Sequence, residues 1–219
     1  MKESEKKATI ERYNRRLEVY GYDPRTLGWL KGRQPIRFEA LSQIGDLNNS
    51  SILDVGCGFG DLYGFLIKKG LTIKYTGHDI NPELIKIARE VYPDAHFAVK
   101  DIEEEEIEDR FDWVFESGVF NFKSSHSERF VQNMLRSMFE LCRKGVAADF
   151  VSSYVDFEDK DAYYASPEEI FAFCKTLSRR VVIRHDYMPF EFCMYIYKDD
   201  SINERNVFAE IDEDWCDEK

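Results

Sequence analysis

Long apolar runs are missing from this 219-residue chain. None approaches the roughly 20 residues needed to cross a bilayer. None has the layout of a secretory signal either, so a cytoplasmic protein without membrane contact is the expectation. Cysteine is sparse and scattered: Cys57, Cys142, Cys174, Cys193 and Cys216. No two have Cys-x-x-Cys spacing, so no zinc site, other metal or disulfide framework is expected, and the thiols read as reduced. Positive charge is also short, with 30 Lys/Arg against 42 Asp/Glu and a net charge of −12. Phosphate binding is dominated by cations, so general nucleic-acid affinity is not expected. No basic stretch interleaved with aromatics offers a base-stacking platform. Internal repeats and low-complexity tracts are absent, leaving one α/β domain with an N-terminal extension.

Against these absences stands Ile52-Leu-Asp-Val-Gly-Cys-Gly-Phe-Gly60, an apolar run ending in three alternate glycines. An apolar run bounded by glycines reads as a buried strand entering a tight turn. Glycine there lets a ligand approach backbone N–H groups that a Cβ would cover. Asp61 to Gly70 then reads as a helix with a glycine stop. Strand, glycine turn and helix open a nucleotide-type cofactor site in an α/β sheet. A dinucleotide fingerprint needs a glycine at the sixth position. That place is Asp61 counted from Gly56 and Tyr63 counted from Gly58, so both registers fail. No Gly-Lys-Ser/Thr follows to form a phosphate-cradling loop.

The fit is instead to an acid followed by Gly-x-Gly-x-Gly: Asp54, Gly56, Gly58 and Gly60, with Cys57 inside the turn. Here the chain resembles the class I S-adenosylmethionine-dependent methyltransferases. The resemblance continues through three later strand ends. Lys74–Ile80 reads as a second strand ending in Asp79, with Asn81 as cap and Pro82 opening a helix. The resemblance gives Asp79 the ribose hydroxyls, with Ile80 beside it. His96–Asp101 reads as strand three, and Asp101-Ile102 matches the adenine-edge position. Phe111–Ser117 reads as strand four, whose end, Glu116 to Phe122, would flank the transferred methyl. The family's implied fold is a Rossmann-like, seven-stranded, mostly parallel sheet with helices on both faces and the last strand antiparallel. The implied cofactor is S-adenosylmethionine, leaving as S-adenosylhomocysteine.

Residues 1–45 read as a helical cap, 46–198 as the cofactor-binding domain, and 199–219 as an acidic tail anchored by Phe208 or Trp215. In the cap, Ile10, Tyr13, Leu17 and Tyr20 recur at helical spacing, and Pro35 to Ile44 suggest a second helix. Residues 1–37 hold ten Lys/Arg against five Asp/Glu, a balance of +5, so the remainder carries −17. Such a cap either docks on the acidic body or helps to hold an anionic ligand. Arg37 is the candidate for the cofactor carboxylate, because a guanidinium binds one bidentately; the alternative is a surface salt bridge. Glu103–Glu106 reads as a solvated loop. Glu128–Cys142 reads as a crossover helix, Gly145–Ser153 as strand five, and Ser166-Pro-Glu-Glu169 as a capping box opening another helix. Val181–Tyr187 and Phe192–Tyr197 read as the closing strands.

Ligands of open α/β sheets lie beyond the carboxyl ends of the strands. Glu116–Phe122, Asp149–Tyr154, His185–Glu191 and the cap should therefore converge. The candidates on the acceptor side are Asn121, Tyr154, Tyr164, His185 and Tyr187, with Glu116 and His185 as catalytic groups. Glu116 and Ser117 also count among the cofactor contacts, and His126 is a weaker candidate base. A hydroxyl acceptor needs a base; a free amine or carboxylate has less need of one. Family members that methylate nucleobase or amide nitrogens often carry a Pro-Pro pair after strand four, and Glu116–Phe122 has none. The reading is methyl transfer to oxygen or nitrogen of a small molecule, anionic if the basic cap helps to hold it. The alternatives are a tRNA or other macromolecular target, or a non-catalytic binding or activator protein on the same fold.

Overall fold

A computed structural model describes residues 3–29, 32–124 and 126–199. Two N-terminal helices, α1 (Glu3–Tyr20) and α2 (Gln34–Ser42), precede an alternating βα run. This run comprises β1 (Ser50–Val55), α3 (Asp61–Lys68), β2 (Ile73–Asp79), α4 (Pro82–Val91) and β3 (His96–Val99). Next come β4 (Phe111–Glu116), a short 3-10 turn at Val119–Asn121, α5 (Ser127–Leu141) and β5 (Cys142–Val151). The described chain closes with α6 (Pro167–Leu177), β6 (Val181–Met188) and β7 (Glu191–Tyr197). The acidic tail, with Phe208, Trp215 and Cys216, lies outside the described residues.

The seven strands form one sheet in the order β3-β2-β1-β4-β5-β7-β6. Strands β1 to β5 pair in parallel, and only β7 runs against its neighbours. The chain order reverses between β1 and β4, which opens a crevice beyond their carboxyl ends. The central strands are apolar on both faces, as strands covered by helices on each side must be. Leu53, Val55 and Val114 point into one core layer with α5 and α6. Ile52, Trp113 and Phe115 point into the other, with α2, α3 and α4. Each such side chain removed from water stabilises the fold by about 1.5–3 kcal/mol.

Local signals explain the helix starts. The Asn81 side chain accepts from the Glu83 and Leu84 N–H groups, and the Ser166 hydroxyl accepts from Glu169 N–H, each ahead of a proline at the helix start. Helix α2 buries six residues, with Phe38, Ala40 and Leu41 in the second layer, whereas α1 has no buried residue. The apolar stripe of α1 therefore faces something other than the core. It lies across the mouth of the crevice, with Ile10 and Tyr13 among the cavity-lining residues.

Candidate active site

The glycine turn is fastened to the end of β2. Gly56 N–H and Cys57 N–H both donate to the His78 carbonyl, at 2.7 and 3.1 Å. Gly58 N–H donates to Asp79 Oδ2 at 2.9 Å. Gly56 and Gly58 have φ of 72° and 54°, the left-handed region that favours glycine. A Cβ on Gly56 would collide with Val119, and one on Gly58 would come 3.0 Å from Leu27 of the cap.

Three carboxylates line the crevice in chain order, one at the end of each of the first three strands. Asp54 is buried beneath the turn and accepts a hydrogen bond from the Tyr75 hydroxyl. Burial pushes its carboxyl up to about 7, against the pull of Tyr75. Asp79 accepts from Asn81 N–H at 2.8 Å on its other oxygen, and burial raises it as well. Asp101 accepts from Glu103 N–H at 3.0 Å and pairs with Lys6 of α1 at 2.9 Å. Ile102 is buried beside it.

Helix α1 is sewn to the segments that follow β2, β3 and β4. Besides Lys6, Asn14 accepts from the Asn81 side-chain amide at 2.9 Å, and the Arg12 guanidinium stacks 4.1 Å from the Phe122 ring centre. Below it lies a cavity of about 970 Å³. Its walls include Asp54, Gly56, Cys57, Gly58, Asp79, Ile80, Asp101, Ile102, Ser117 and Asn121. All ten are among the candidates drawn from the sequence. The Asn121 Oδ1 and His78 Nδ1 atoms are buried without a hydrogen-bond partner among the described residues. Burial, with Lys100 adding to it, lowers His78 to about 4, so its ring is neutral at pH 7.

Several expectations are corrected by the geometry. Glu116 does not reach the cavity; it is fully buried behind the following turn, with Oε1 accepting from Val119 N–H at 2.5 Å. Desolvation, reinforced by Asp149, holds it well above the usual carboxylate range. Gly60 is likewise absent from the walls, because it caps α3 and packs toward Phe97. Arg37 lines the cavity but is neither a free carboxylate clamp nor a surface pair. It is 3% exposed, lies 3.1 Å from Asp149, also pairs with Glu191, and stacks on Trp29. Burial works against its charge, yet the two acids outweigh that and hold its pKa raised.

The tyrosine and histidine group expected on the acceptor side does not meet the cavity. His185 is exposed on the edge strand β6, near the Tyr154 and Phe192 rings. Tyr154 is 59% exposed and bonds Glu168. The Tyr164 hydroxyl accepts from Asp159 N–H at 2.7 Å. Tyr187 packs against the second core layer. His185 and Tyr187 sit further out because β7 and β6 extend the sheet past β5, and Tyr154 and Tyr164 lie on the connection between β5 and α6. His126, the weaker candidate, does reach the cavity. Tyr13, Trp29, Phe122 and His78 also line it. Tyr13, Trp29 and Phe122 fall within the cap and the Glu116–Phe122 segment that the sequence brings to the site, whereas His78 carries only membership of a strand, which by itself reads as packing.

Taken together, the site is a nucleotide-type crevice at the switch point of a Rossmann-like sheet. Its donor set suits S-adenosylmethionine: carboxylates for an ammonium, ribose hydroxyls and an adenine amine, and a turn with no Cβ in the way. Residues 52–145 match the family described as methyltransferase domain. A protein of Mycobacterium tuberculosis named as methyltransferase Rv1506c is 33% identical over 158 residues, covering 68% of this chain and 93% of that protein. The malonyl-[acyl-carrier protein] O-methyltransferase of Acetivibrio thermocellus is 37% identical over 82 residues, covering 35% of this chain but only 29% of its own length. Magnesium protoporphyrin IX methyltransferase from Synechocystis, solved with bound S-adenosylhomocysteine, shares the fold with a TM-score of 0.64 at 14% identity. That superposition covers 88% of this chain and 95% of the other.

The chain belongs to the class I S-adenosylmethionine-dependent methyltransferases and is an enzyme of that kind. Among the described residues, no helix is long and apolar enough to cross a membrane.

Proposed function

We propose that the enzyme methylates a carboxylate oxygen of a small anionic molecule. The observation that carries this is the charge of the cavity wall. Arg12, Arg16, Arg33, Lys100, Lys123 and Arg129 all line it, and none has an ion-pair partner within 4.0 Å among the described residues. The lining acids, by contrast, are largely engaged by backbone, Tyr75, Lys6 or Arg37. Cations left unpaired in an acidic protein favour an anionic visitor. The O-methyltransferase name of the Acetivibrio relative agrees with an oxygen acceptor.

In this reading Asp79 holds the ribose hydroxyls, Asp101 and Ile102 the adenine edge and face, and Asp54 stands beneath the ammonium. S-adenosylmethionine supplies an activated methyl on a sulfonium, so the protein's work is alignment and exclusion of water. The carboxylate oxygen takes the methyl by direct displacement: the C–O bond forms as the C–S bond breaks, the electron pair stays on sulfur, and no proton moves. That chemistry suits a cavity in which His78 is held neutral and Glu116 is sealed away.

The test is a panel of small carboxylates, amines and phenols incubated with enzyme and methyl-labelled S-adenosylmethionine. Label that volatilises as methanol on mild base treatment identifies a methyl ester and supports the reading. Base-stable label on an amine or phenol, with no ester formed, overturns it.

A further inference from the structure

A second, more open chamber of about 580 Å³ borders the main cavity along α1. The two meet at Arg12, Arg16, Asn121, Phe122 and Ala162, which line both. Arg12, Arg15 and Arg16 stand at positions i, i+3 and i+4 of α1, which places them on one helical face. All three line the second chamber, and none has an ion-pair partner within 4.0 Å among the described residues. Like charges at this spacing repel, and the repulsion is relieved when an anion binds between them.

Two of the guanidiniums are also placed rather than loose. Arg12 sits over the Phe122 ring, 4.1 Å from its centre. Arg16 passes Gly28, where a Cβ would stand 3.2 Å from its Nη1. The opposite wall is fixed by backbone: Lys123 N–H donates to the Asp161 carbonyl at 3.0 Å, and Tyr163 N–H to the Asn121 carbonyl at 3.0 Å. Asp159 and Asp161 belong to that wall. One Asp159 oxygen already accepts from Asp161 N–H at 2.9 Å. Three cations facing two acids leave the chamber net positive.

We propose that this chamber binds a second, distal anionic group of the methyl acceptor, making Arg15 with Arg12 and Arg16 the residues that select polyanionic acceptors. The proposal rests on the anionic-acceptor reading above and adds a second charge to it. Arg15 lines only the second chamber, so it separates acceptor recognition from cofactor binding.

The experiment uses the full chain saturated with S-adenosylhomocysteine. Succinate, glutarate, adipate and pimelate are titrated calorimetrically against monocarboxylates of the same carbon number. At least one diacid should bind tenfold or more tightly than its matched monoacid. Arg15→Glu should abolish that advantage and Arg15→Lys should keep part of it, both with S-adenosylhomocysteine affinity within twofold of wild type. Equal affinities for diacids and monoacids, or a preference that survives Arg15→Glu, would overturn the proposal. Ester formation without any diacid preference sinks the chamber and leaves the carboxylate reading standing. A diacid preference through Arg15 with no ester formed from any acid does the reverse.

Discussion

Lys6 Nζ lies 2.9 Å from Asp101 and 3.1 Å from Glu104, so the N-terminal helix is latched to the carboxylate proposed for the adenine edge. These contacts hold the Lys6 ammonium raised to about 12, the Asp101 hydrogen bond contributing most. Helix α1 buries no residue of its own, so its docking depends on a few such polar ties. Lys6→Ala should loosen the helix without unfolding the sheet. Partly exposed ion pairs contribute roughly 0.2–1 kcal/mol, so amide exchange in α1 should quicken by up to about fivefold. Hydrogen exchange read by mass spectrometry checks this, and unaltered protection in α1 would show that the latch does not hold it.

Gly58 ties the turn both to Asp79 and to the cap. Its φ of 54° is costly for a β-branched residue, and a Cβ there meets Leu27 at 3.0 Å. Gly58→Val should strain the turn by about 1–3 kcal/mol. It should also turn the Asp79-bonded N–H away and displace the cap at Leu27. The expected result is loss of S-adenosylhomocysteine binding by calorimetry, with a thermal midpoint only a few degrees lower. Wild-type affinity in this variant would mean that the cofactor does not approach the turn.

With Asp54 beneath the ammonium, as proposed, cofactor affinity should depend on pH. An unfolded aspartate titrates near about 3.9, whereas burial lifts this one to about 7 in the free protein. The folded state therefore binds the proton more tightly. Its contribution to stability is full below about pH 4 and is lost as the pH rises through 7. A ligand ammonium above Asp54 has the opposite preference, because it needs the ionised carboxylate. S-adenosylhomocysteine affinity should thus rise from pH 6 toward 7, by at most about tenfold per unit, and level off beyond. Asp54→Asn should flatten that slope. An equal slope in the wild type and the Asp54→Asn variant would place the ammonium elsewhere.

Glu116 separates structure from chemistry. It is fully buried, holds Val119 N–H at 2.5 Å, and is pushed well above the usual carboxylate range first by desolvation and then by Asp149. Glutamine preserves the shape and the oxygen that accepts from Val119 N–H, so Glu116→Gln should shift the thermal midpoint by no more than about 2 °C. Glu116→Ala leaves a void and an unpaired N–H, a loss of about 2–4 kcal/mol. For a chain of this size that lowers the midpoint by roughly 5–15 °C. Scanning calorimetry distinguishes the two, and a Gln variant as damaged as Ala would point to a charged Glu116.

The strands, the capping residues and the acids at the ends of β1, β2 and β3 were legible from the sequence, the mostly parallel sheet only through the family resemblance. The former depend on local patterns: an apolar run, a glycine turn, or an Asn or Ser ahead of proline. Asp54, Asp79 and Asp101 thereby fall on one rim by topology alone. The acceptor side was not legible in this way. Tyr154, Tyr164, His185 and Tyr187 follow the right strands, but lateral position in the sheet decides which strand ends share a cavity. The insertion of β7 between β5 and β6 carries His185 outward. Conversely, the apolar stripe with Tyr13 did not name its partner, because periodicity reports a covered face and not what covers it. Arg37 was misread for a related reason: its partners, Asp149 and Glu191, lie 112 and 154 residues away in sequence.

His185 provides the sharpest check on that lateral placement. It is exposed on β6 and faces Tyr154 and Phe192, with ring centres at 6.2 and 5.8 Å, and it does not line the cavity. A base must come within hydrogen-bond reach of the proton that it removes, or act through one water. From β6 the imidazole has no such path, and a carboxylate acceptor has no proton to give. His185→Ala should therefore leave kcat and KM within about twofold across pH 6 to 9 once an acceptor is in hand, in line with the small effect of exposed substitutions on the fold. A tenfold fall in kcat together with loss of the acidic limb of the pH profile would restore His185 as the base. Such a result would require the β6 edge to close over the crevice during turnover.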